Sequence, residues 1–189
     1  MKLAQLQLDQ DGAWLHPVNR LSSPNADARP SDANITLAVI HGISLPPGCY
    51  GGGEIQQFFC NTLDYGAHEY FQSLRALRVS AHLLIGRQGD LTQFVSFRRR
   101  AWHAGVSSYQ GLDHCNDYSI GIELEGTDHE PYMEDQYQAL GRVLSLLTWT
   151  YPHITRDRIV GHSDIAPGRK TDPGAAFDWQ HLNAVLNEC

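Results

Sequence analysis

The segment VSAHLLIGRQGDLTQFVSF, residues 79–97, limits the folds open to this chain more than any other segment. Two apolar runs, 79–86 and 90–97, flank the tripeptide Arg87-Gln88-Gly89, a pattern typical of a β-hairpin. Elsewhere the strand and helix patterns are interleaved along the chain. A hairpin inside such an interleaved order predicts a mixed β-sheet with α-helices packed on it.

Apolar periodicity places further elements on both sides of this hairpin. Residues 118–126, YSIGIELEG, alternate apolar side chains with Glu123 and Glu125, so the two carboxylates share one face of a strand. The apolar run 35–40 predicts a buried strand that ends at His41. The other predicted elements are a short strand at 159–160 and helices at 54–63, 134–151 and 177–188, the last with Asp178 as its N-cap.

The composition predicts one globular domain that spans residues 1–189. Of the 189 residues, 42% are apolar and 19% are charged, which is enough to bury a core and too apolar for a disordered chain. The formal net charge of −7 argues against nucleic acid as a partner, because nucleic-acid binders normally present a basic face. The run 98–100, three arginines, is interpreted as a solvated turn. We expect a monomer.

Cysteine spacing and the N-terminal residues bear on the compartment. The four cysteines are Cys49, Cys60, Cys115 and Cys189, and no two of them form a CxxC pair typical of zinc or redox motifs. The N-terminal residues MKLAQLQLDQDGAW contain no apolar run of signal-peptide length, and no apolar stretch is long enough to span a membrane. We therefore expect a cytoplasmic protein with free thiols and no membrane association.

Residues 161–174, GHSDIAPGRKTDPG, combine the prolines and glycines of a loop with an unusual number of charged side chains. His162 and Asp172 lie in this loop, and His41 ends the strand predicted at 35–40. Two imidazoles and one carboxylate are a typical ligand set for catalytic zinc, which keeps a further position for water. By spacing alone, the same residues also fit a polar surface loop and a histidine at a sheet edge.

Hydrolysis at a zinc site also needs a proton acceptor and a cation near the developing oxyanion. Glu123 lies on the polar face of the strand and can serve as the base, and Lys170 can direct a cation at the tetrahedral oxygen. The alternative is that Glu123 and Glu125 form a solvated sheet face. His82 lies inside an apolar run and is interpreted as a hydrogen-bonded core histidine, not a ligand.

Five segments together resemble one enzyme family. They are VIHGISLPPG, VSAHLLIGRQGDLTQFV, AWHAGVSSYQG, CNDYSIGIELEG and IVGHSDIAPGRKTDPG, in this order. From about residue 14 to residue 182 the chain is similar to the zinc N-acetylmuramoyl-L-alanine amidases, above all the AmpD type, which acts on 1,6-anhydro-muropeptides in cytoplasmic cell-wall recycling. The resemblance implies a central mixed sheet flanked by helices, with the zinc site in a groove at the sheet's edge. It implies the fold of peptidoglycan recognition proteins and phage amidase lysozymes.

The resemblance also implies a role for individual residues. His41, His162 and Asp172 match the family's zinc ligands. Glu123 matches the glutamate that activates water, and Lys170 matches the lysine that stabilises the tetrahedral intermediate. The implied reaction is hydrolysis of the amide between the muramyl lactyl group and L-alanine of the stem peptide. In bacteria where such muropeptides induce β-lactamase, this hydrolysis would indirectly limit the induction.

The implied substrate groove uses residues near Arg78, Ala101, Trp102 and His114. Trp102 would stack on the apolar face of the sugar, and Arg78 would pair with a substrate carboxylate. Two positions depart from the family pattern. Gly42 stands where asparagine is frequent, and His114 stands where arginine is common. Both departures bear on how the substrate is held and not on the chemistry.

Two other functions remain open from the sequence. The first is a non-catalytic module that binds muropeptides, and the presence of all five matched ligand and catalytic residues argues against it. The second is a secreted amidase that acts on intact murein. The missing signal-peptide pattern and the acidic net charge argue against the second, because wall-binding enzymes benefit from a basic surface.

Overall fold

The computed structural model describes residues 5–188 and contains short strands, one long helix and several short helices. The strands are β1 (Gln7–Leu8), β2 (Leu15–His16), β3 (Asn19–Arg20), β4 (Ala26–Ala28), β5 (Leu37–Ile43), β6 (Leu83–Ile85), β7 (Leu91–Gln93), β8 (Arg99–Ala101), β9 (Ser108–Tyr109), β10 (Leu112–Asp113), β11 (Ser119–Glu125) and β12 (Ile159–Gly161). The helices are α1 (Glu54–Phe59), α2 (Glu69–Gln72), α3 (Glu134–Thr150), α4 (His162–Ile165) and α5 (Trp179–Glu188). None of these helices is long and apolar enough to cross a membrane.

Six strands form the central sheet in the order β12-β5-β11-β6-β7-β3. The four strands from β12 to β6 are parallel, β6 and β7 are antiparallel, and β7 and β3 are parallel. The predicted hairpin is confirmed by the β6–β7 pair, in which Leu84 faces Thr92. The sheet is therefore mixed, and helices flank it, as the sequence predicts.

Both faces of the sheet are buried because side chains alternate along each strand. Ile120, Ile122 and Leu124 of β11 belong to one apolar cluster with the buried side of α3, including Leu140 and Leu144. The opposite face is covered by two smaller clusters, one centred on the aromatic side chains of α1 and one on residues near α4. A carboxylate on this second face is thus enclosed by protein instead of being solvated.

Several predicted boundaries are wrong, and tertiary pairing explains one of them. The apolar runs 79–86 and 90–97 contain only the short strands β6 and β7. Strand β5 does not end at residue 40 but continues to Ile43, because its parallel pairing with β11 pairs His41 with Glu123 and Ile43 with Glu125. Helix α1 ends at Phe59 instead of residue 63. The predicted N-cap of the last helix is confirmed, since Asp178 Oδ1 accepts a hydrogen bond of 2.9 Å from the backbone N–H of His181.

Arg29 links its own segment to the residue Phe97 ahead of β8 and to the residues that lead into β11. Its guanidinium donates to the carbonyl oxygens of Phe97, Asn116, Asp117 and Ser119 at 2.7–3.3 Å. Burial lowers the pKa of Arg29 to about 10, which leaves the side chain charged at neutral pH. One side chain thus satisfies carbonyl groups that would otherwise lack partners.

His82 is a core histidine, as the sequence predicts. The backbone N–H of Gly121 donates to its Nδ1 at 3.0 Å, so the ring proton lies on Nε2, 3.0 Å from the carbonyl oxygen of Arg99. Burial and the charge of Arg29 lower the pKa of His82 to about 3. His82 therefore stays neutral and holds β11 beside the segment that precedes β6.

We expect Arg29→Ala to lower the free energy of unfolding by about 3–5 kcal/mol, because several enclosed carbonyl oxygens lose a charged donor at once. Urea titration measures this change. Arg142→Ala is the matched control, since Arg142 is exposed on α3, and this variant should shift stability by no more than about 0.5 kcal/mol. Equal stability losses in the two variants would contradict the role assigned to Arg29.

Candidate metal centre and catalytic site

The candidate site lies where the parallel strands β5, β11 and β12 approach their carboxyl ends. A cavity of about 600 Å³ opens there. Its walls include His41 from β5, Glu123 from β11, His162 at the start of α4, and Lys170 and Asp172 from the loop that follows α4. Side chains that are up to 131 positions apart in the chain thus converge on one cavity.

His41, His162 and Asp172 bring three ligand atoms together. The Nδ1 atoms of the two histidines are 2.9 Å apart, and Oδ2 of Asp172 lies 3.2 Å from Nδ1 of His41 and 3.0 Å from Nδ1 of His162. The two rings are 1% and 3% exposed. The three side chains form a group that can hold one metal ion.

The charge state of this group also suits a cation. Burial lowers the pKa of His41 to about 4, against the opposing effect of its hydrogen bond to Asp172. Burial alone would raise the pKa of Asp172, but hydrogen bonds from His162 and His41 outweigh it and hold that pKa well below its ordinary value. At neutral pH the Asp172 carboxylate therefore lies beside the neutral imidazole of His41, which is the form of histidine that binds metals.

Hydrogen bonds hold the loop from 161 to 174 in place around the site. The backbone N–H of Ser163 donates to the carbonyl of Asp172 at 3.0 Å, and the N–H of Gly161 donates to Asp164 Oδ2 at 2.7 Å. Arg169 donates from Nη2 to the carbonyl oxygens of residues 104 and 106, both at 2.6 Å. Asp164 and Arg169 thus support the loop that carries His162 and Asp172.

Glu123 is the unpaired carboxylate of the site. Its Oε2 atom is enclosed and has no hydrogen-bond partner among residues 5–188. Burial raises the pKa of Glu123 well above its ordinary value, the charge of Asp172 raises it further, and Lys170 opposes this effect. An enclosed carboxyl group with a raised pKa and no partner is typical of a group that exchanges protons during a reaction.

Glu125 lies on the same face of β11 but differs from Glu123 in its contacts. Its Oε1 accepts from the backbone N–H of Gly51 at 2.6 Å, and its Oε2 accepts from the N–H of Arg87 at 3.3 Å. The side chain of Glu125 is buried. The two glutamates therefore do not form a solvated sheet face, and Glu125 holds neighbouring loops in place.

Comparison with known proteins gives a consistent result. The family model for N-acetylmuramoyl-L-alanine amidase matches residues 31–175. The 1,6-anhydro-N-acetylmuramyl-L-alanine amidase AmpD of Citrobacter freundii is 53% identical over 176 residues, which cover 93% of this chain and 94% of that protein.

The chain belongs to the N-acetylmuramoyl-L-alanine amidase family.

Solved structures agree with this membership. A crystal structure of a selenomethionine derivative of AmpD superposes with a TM-score of 0.91 at 52% identity, covering 95% of this chain and 98% of that one. The Escherichia coli amidase AmiD, in complex with the substrate anhydro-N-acetylmuramic acid-L-Ala-D-gamma-Glu-L-Lys, superposes with a TM-score of 0.59 at 30% identity, covering 83% of this chain and 60% of that one. This chain is an amidase, a hydrolase of a C–N amide bond.

The four substrate-binding positions expected for this amidase do not line the described cavity. Arg78 is exposed, and its Nη1 donates to the carbonyl oxygens of residues 75 and 77 at 3.0 and 2.8 Å. Ala101 is fully buried in β8, where it pairs with Ala26 of β4. Trp102 is half-buried, and His114 is exposed with a left-handed φ of 61°. Their contact with substrate stays a prediction.

The cavity has two chemically different walls. One apolar wall is formed by Leu45, Phe58, Phe59, Leu74 and Val79, which all belong to the apolar cluster around α1. On the side of β11, Thr127, Asp128 and His129 add polar groups. A ligand with one apolar and one polar side fits such a cavity better than a uniformly charged one.

His103 is the buried residue at this site that sequence reasoning missed. Its Nδ1 lies 2.9 Å from His41 Nε2, and its Nε2 lies 3.1 Å from Ser119 Oγ. Burial and the neighbouring histidines hold the pKa of His103 well below its ordinary value. A signal was present at Gly121: a glycine inside a strand often marks a close approach, and a Cβ there would overlap the His103 ring.

Proposed function

We propose that this amidase hydrolyses the amide between the lactyl group of 1,6-anhydro-N-acetylmuramic acid and L-alanine of the stem peptide, with zinc as cofactor. The observation that carries the proposal is the convergence of the His41, His162 and Asp172 ligand atoms beside the unpaired carboxyl of Glu123. The curated relative of 53% identity is a 1,6-anhydro-N-acetylmuramyl-L-alanine amidase, which supports this substrate class.

The donor set and its spacing support zinc. Tetrahedral zinc with bonds of about 2.0–2.1 Å separates its ligand atoms by about 3.3 Å. The three ligand atoms lie 2.9–3.2 Å apart, close to that spacing. Zn²⁺, when bound by His41, His162 and Asp172, would supply a Lewis acid that polarises an amide carbonyl and eases the ionisation of water.

The chain's own residues account for the remaining needs of amide hydrolysis. Glu123 Oε2 would accept the proton of the attacking water and pass it to the leaving amine, a task that its raised pKa favours. Lys170 extends from an exposed position into the cavity wall, and its ammonium would stabilise negative charge on the carbonyl oxygen. The supporting bonds of Arg169 would keep the 161–174 loop preorganised.

The substrate would lie along the cavity, with its apolar parts against the wall that contains Phe58 and Phe59. Arg78, Trp102 and His114 lie outside the described lining, so their proposed part is to contact portions of the substrate beyond the cavity, whereas the buried Ala101 would shape the groove from beneath. The enzyme would act as a single-domain monomer in cytoplasmic peptidoglycan recycling and would thereby limit β-lactamase induction indirectly. The free thiols of the three described cysteines agree with a reducing compartment.

The test is turnover of purified anhydro-muropeptide, followed by mass spectrometry of the released stem peptide. Muropeptides with a reduced muramyl end and intact sacculi are digested in parallel. We expect release from the anhydro substrate and at least tenfold slower release from the other two. Release mainly from sacculi would instead favour a murein amidase, and binding without release would favour a non-catalytic muropeptide-binding module.

A further inference from the structure

We propose that His103 and Ser119 position His41 for metal binding: His103 Nδ1 accepts the proton of His41 Nε2, which leaves His41 Nδ1 free for the metal. The proposal rests on the zinc site proposed above. It assigns His103 a positioning role, because its ring lies behind His41 and does not belong to the group of ligand atoms.

Three buried side chains form a linear series of hydrogen bonds. His41 Nε2 pairs with His103 Nδ1 at 2.9 Å, and His103 Nε2 pairs with Ser119 Oγ at 3.1 Å. The three residues are 1%, 9% and 0% exposed. Within residues 5–188 these are the only hydrogen-bond partners of the two His103 ring nitrogens. The positions of the ring protons therefore depend on one another.

The series can be polarised in two directions, since a neutral imidazole has one donor and one acceptor nitrogen. In one direction Ser119 donates to His103, and His103 donates to His41 Nε2. The proton of His41 then lies on Nδ1, where it points at Asp172 Oδ2, 3.2 Å away, and blocks metal binding. In the other direction His41 Nε2 donates to His103, and His103 donates to Ser119. Only this second direction leaves a lone pair on His41 Nδ1.

The Nε2 atom of His162 has a different kind of hydrogen-bond partner from the Nε2 atom of His41. His162 Nε2 lies 3.2 Å from the carbonyl oxygen of Ala104, which can only accept; a neutral ring that donates to this oxygen keeps its proton on Nε2 and leaves Nδ1 for the metal. His41 has an adjustable partner where His162 has a fixed one. Removing His103 should therefore weaken the metal site through His41 alone. Partners of this kind typically contribute a factor of about 10–100 to metal affinity.

The experiment measures zinc affinity by competition with a chromophoric chelator. We expect His103→Ala to bind zinc about 10–100-fold more weakly than the wild type. His103→Asn should recover binding to within a few-fold, because the amide oxygen at the Nδ1 position can still accept the His41 proton. Ser119→Ala should cause a smaller loss, since it leaves His103 in place.

Two further readouts separate positioning from general damage. Thermal unfolding of the metal-free variants should show similar losses for His103→Ala and His103→Asn, although only the alanine variant loses zinc affinity. In the zinc-loaded wild type, ¹⁵N NMR should place the ring protons of His41 and His103 on Nε2. Equal zinc affinity in all variants, equal weakening in the alanine and asparagine variants, or a His103 proton on Nδ1 would overturn the proposal. A wild type that binds no zinc would instead overturn the proposed metal site itself.

Discussion

Asp172→Ala is expected to abolish both zinc binding and amide hydrolysis. Asp172 supplies the only carboxylate oxygen in the group, and its Oδ2 lies within 3.2 Å of both histidine Nδ1 atoms. Without it, two neutral nitrogens would have to hold a dication in a largely enclosed site. The loss should therefore exceed the factor of about 10–100 that an outer hydrogen-bond partner contributes.

The measurement is zinc content per chain after dialysis, followed by turnover of anhydro-muropeptide before and after chelation. We expect one zinc per wild-type chain, and we expect chelation to reduce wild-type turnover to the level of the variant. Asp128→Ala is the matched control for zinc content, because Asp128 lines the same cavity but lies outside the metal-binding group. It should retain one zinc per chain.

Two outcomes would contradict this assignment. Wild-type turnover that survives exhaustive chelation would mean that hydrolysis does not use the metal. Full zinc content in Asp172→Ala would mean that a residue other than Asp172 supplies the carboxylate ligand. Glu123 is the alternative carboxylate in the same cavity, since the charge of Asp172 already raises its pKa.

The sequence predicts the fold best where periodicity is local and strong. Helix α3 and strand β11 have their predicted extents to within one residue, because one repeats at helical spacing and the other alternates. The extra length of β5 could not be predicted in this way. It results from pairing with β11, which lies more than 70 residues later in the chain.

The candidate site shows the same division between local and long-range information. His41, His162 and Asp172 are predictable because their residue types match metal chemistry and the surrounding segments resemble a known family. His103 has neither ligand spacing nor a charge partner, and its role depends on a contact 62 positions away. Such a residue becomes visible only when the fold brings its ring against His41.

Hydrogen bonding decides what the two glutamates of β11 can do, and the sequence does not specify it. Alternation alone makes Glu123 and Glu125 equivalent. In the structure Glu125 accepts hydrogen bonds from two backbone N–H groups, whereas Glu123 Oε2 accepts none from the described residues. This difference identifies Glu123 as the group that is free to take up a proton.

Glu123→Gln is expected to lower kcat by about 10²–10⁴-fold while zinc content stays at one per chain. Glutamine keeps the size and polarity of the side chain but cannot accept a proton from water at neutral pH. The glutamine side chain is uncharged and needs no cation beside it, so the fold should be retained. We also expect KM for the substrate to change little. Steady-state kinetics with anhydro-muropeptide and zinc analysis of the same preparations measure both effects.

Glu125→Gln is the matched control, with the same substitution two residues along the same face of β11. It keeps one side-chain oxygen that can accept from Gly51 or Arg87, so we expect its kcat to stay within a few-fold of the wild type. Near-normal turnover in Glu123→Gln would contradict the base assignment. If turnover instead fell mainly in Glu125→Gln, the proton acceptor would have to be sought on that carboxylate, because both variants change the same functional group on the same strand.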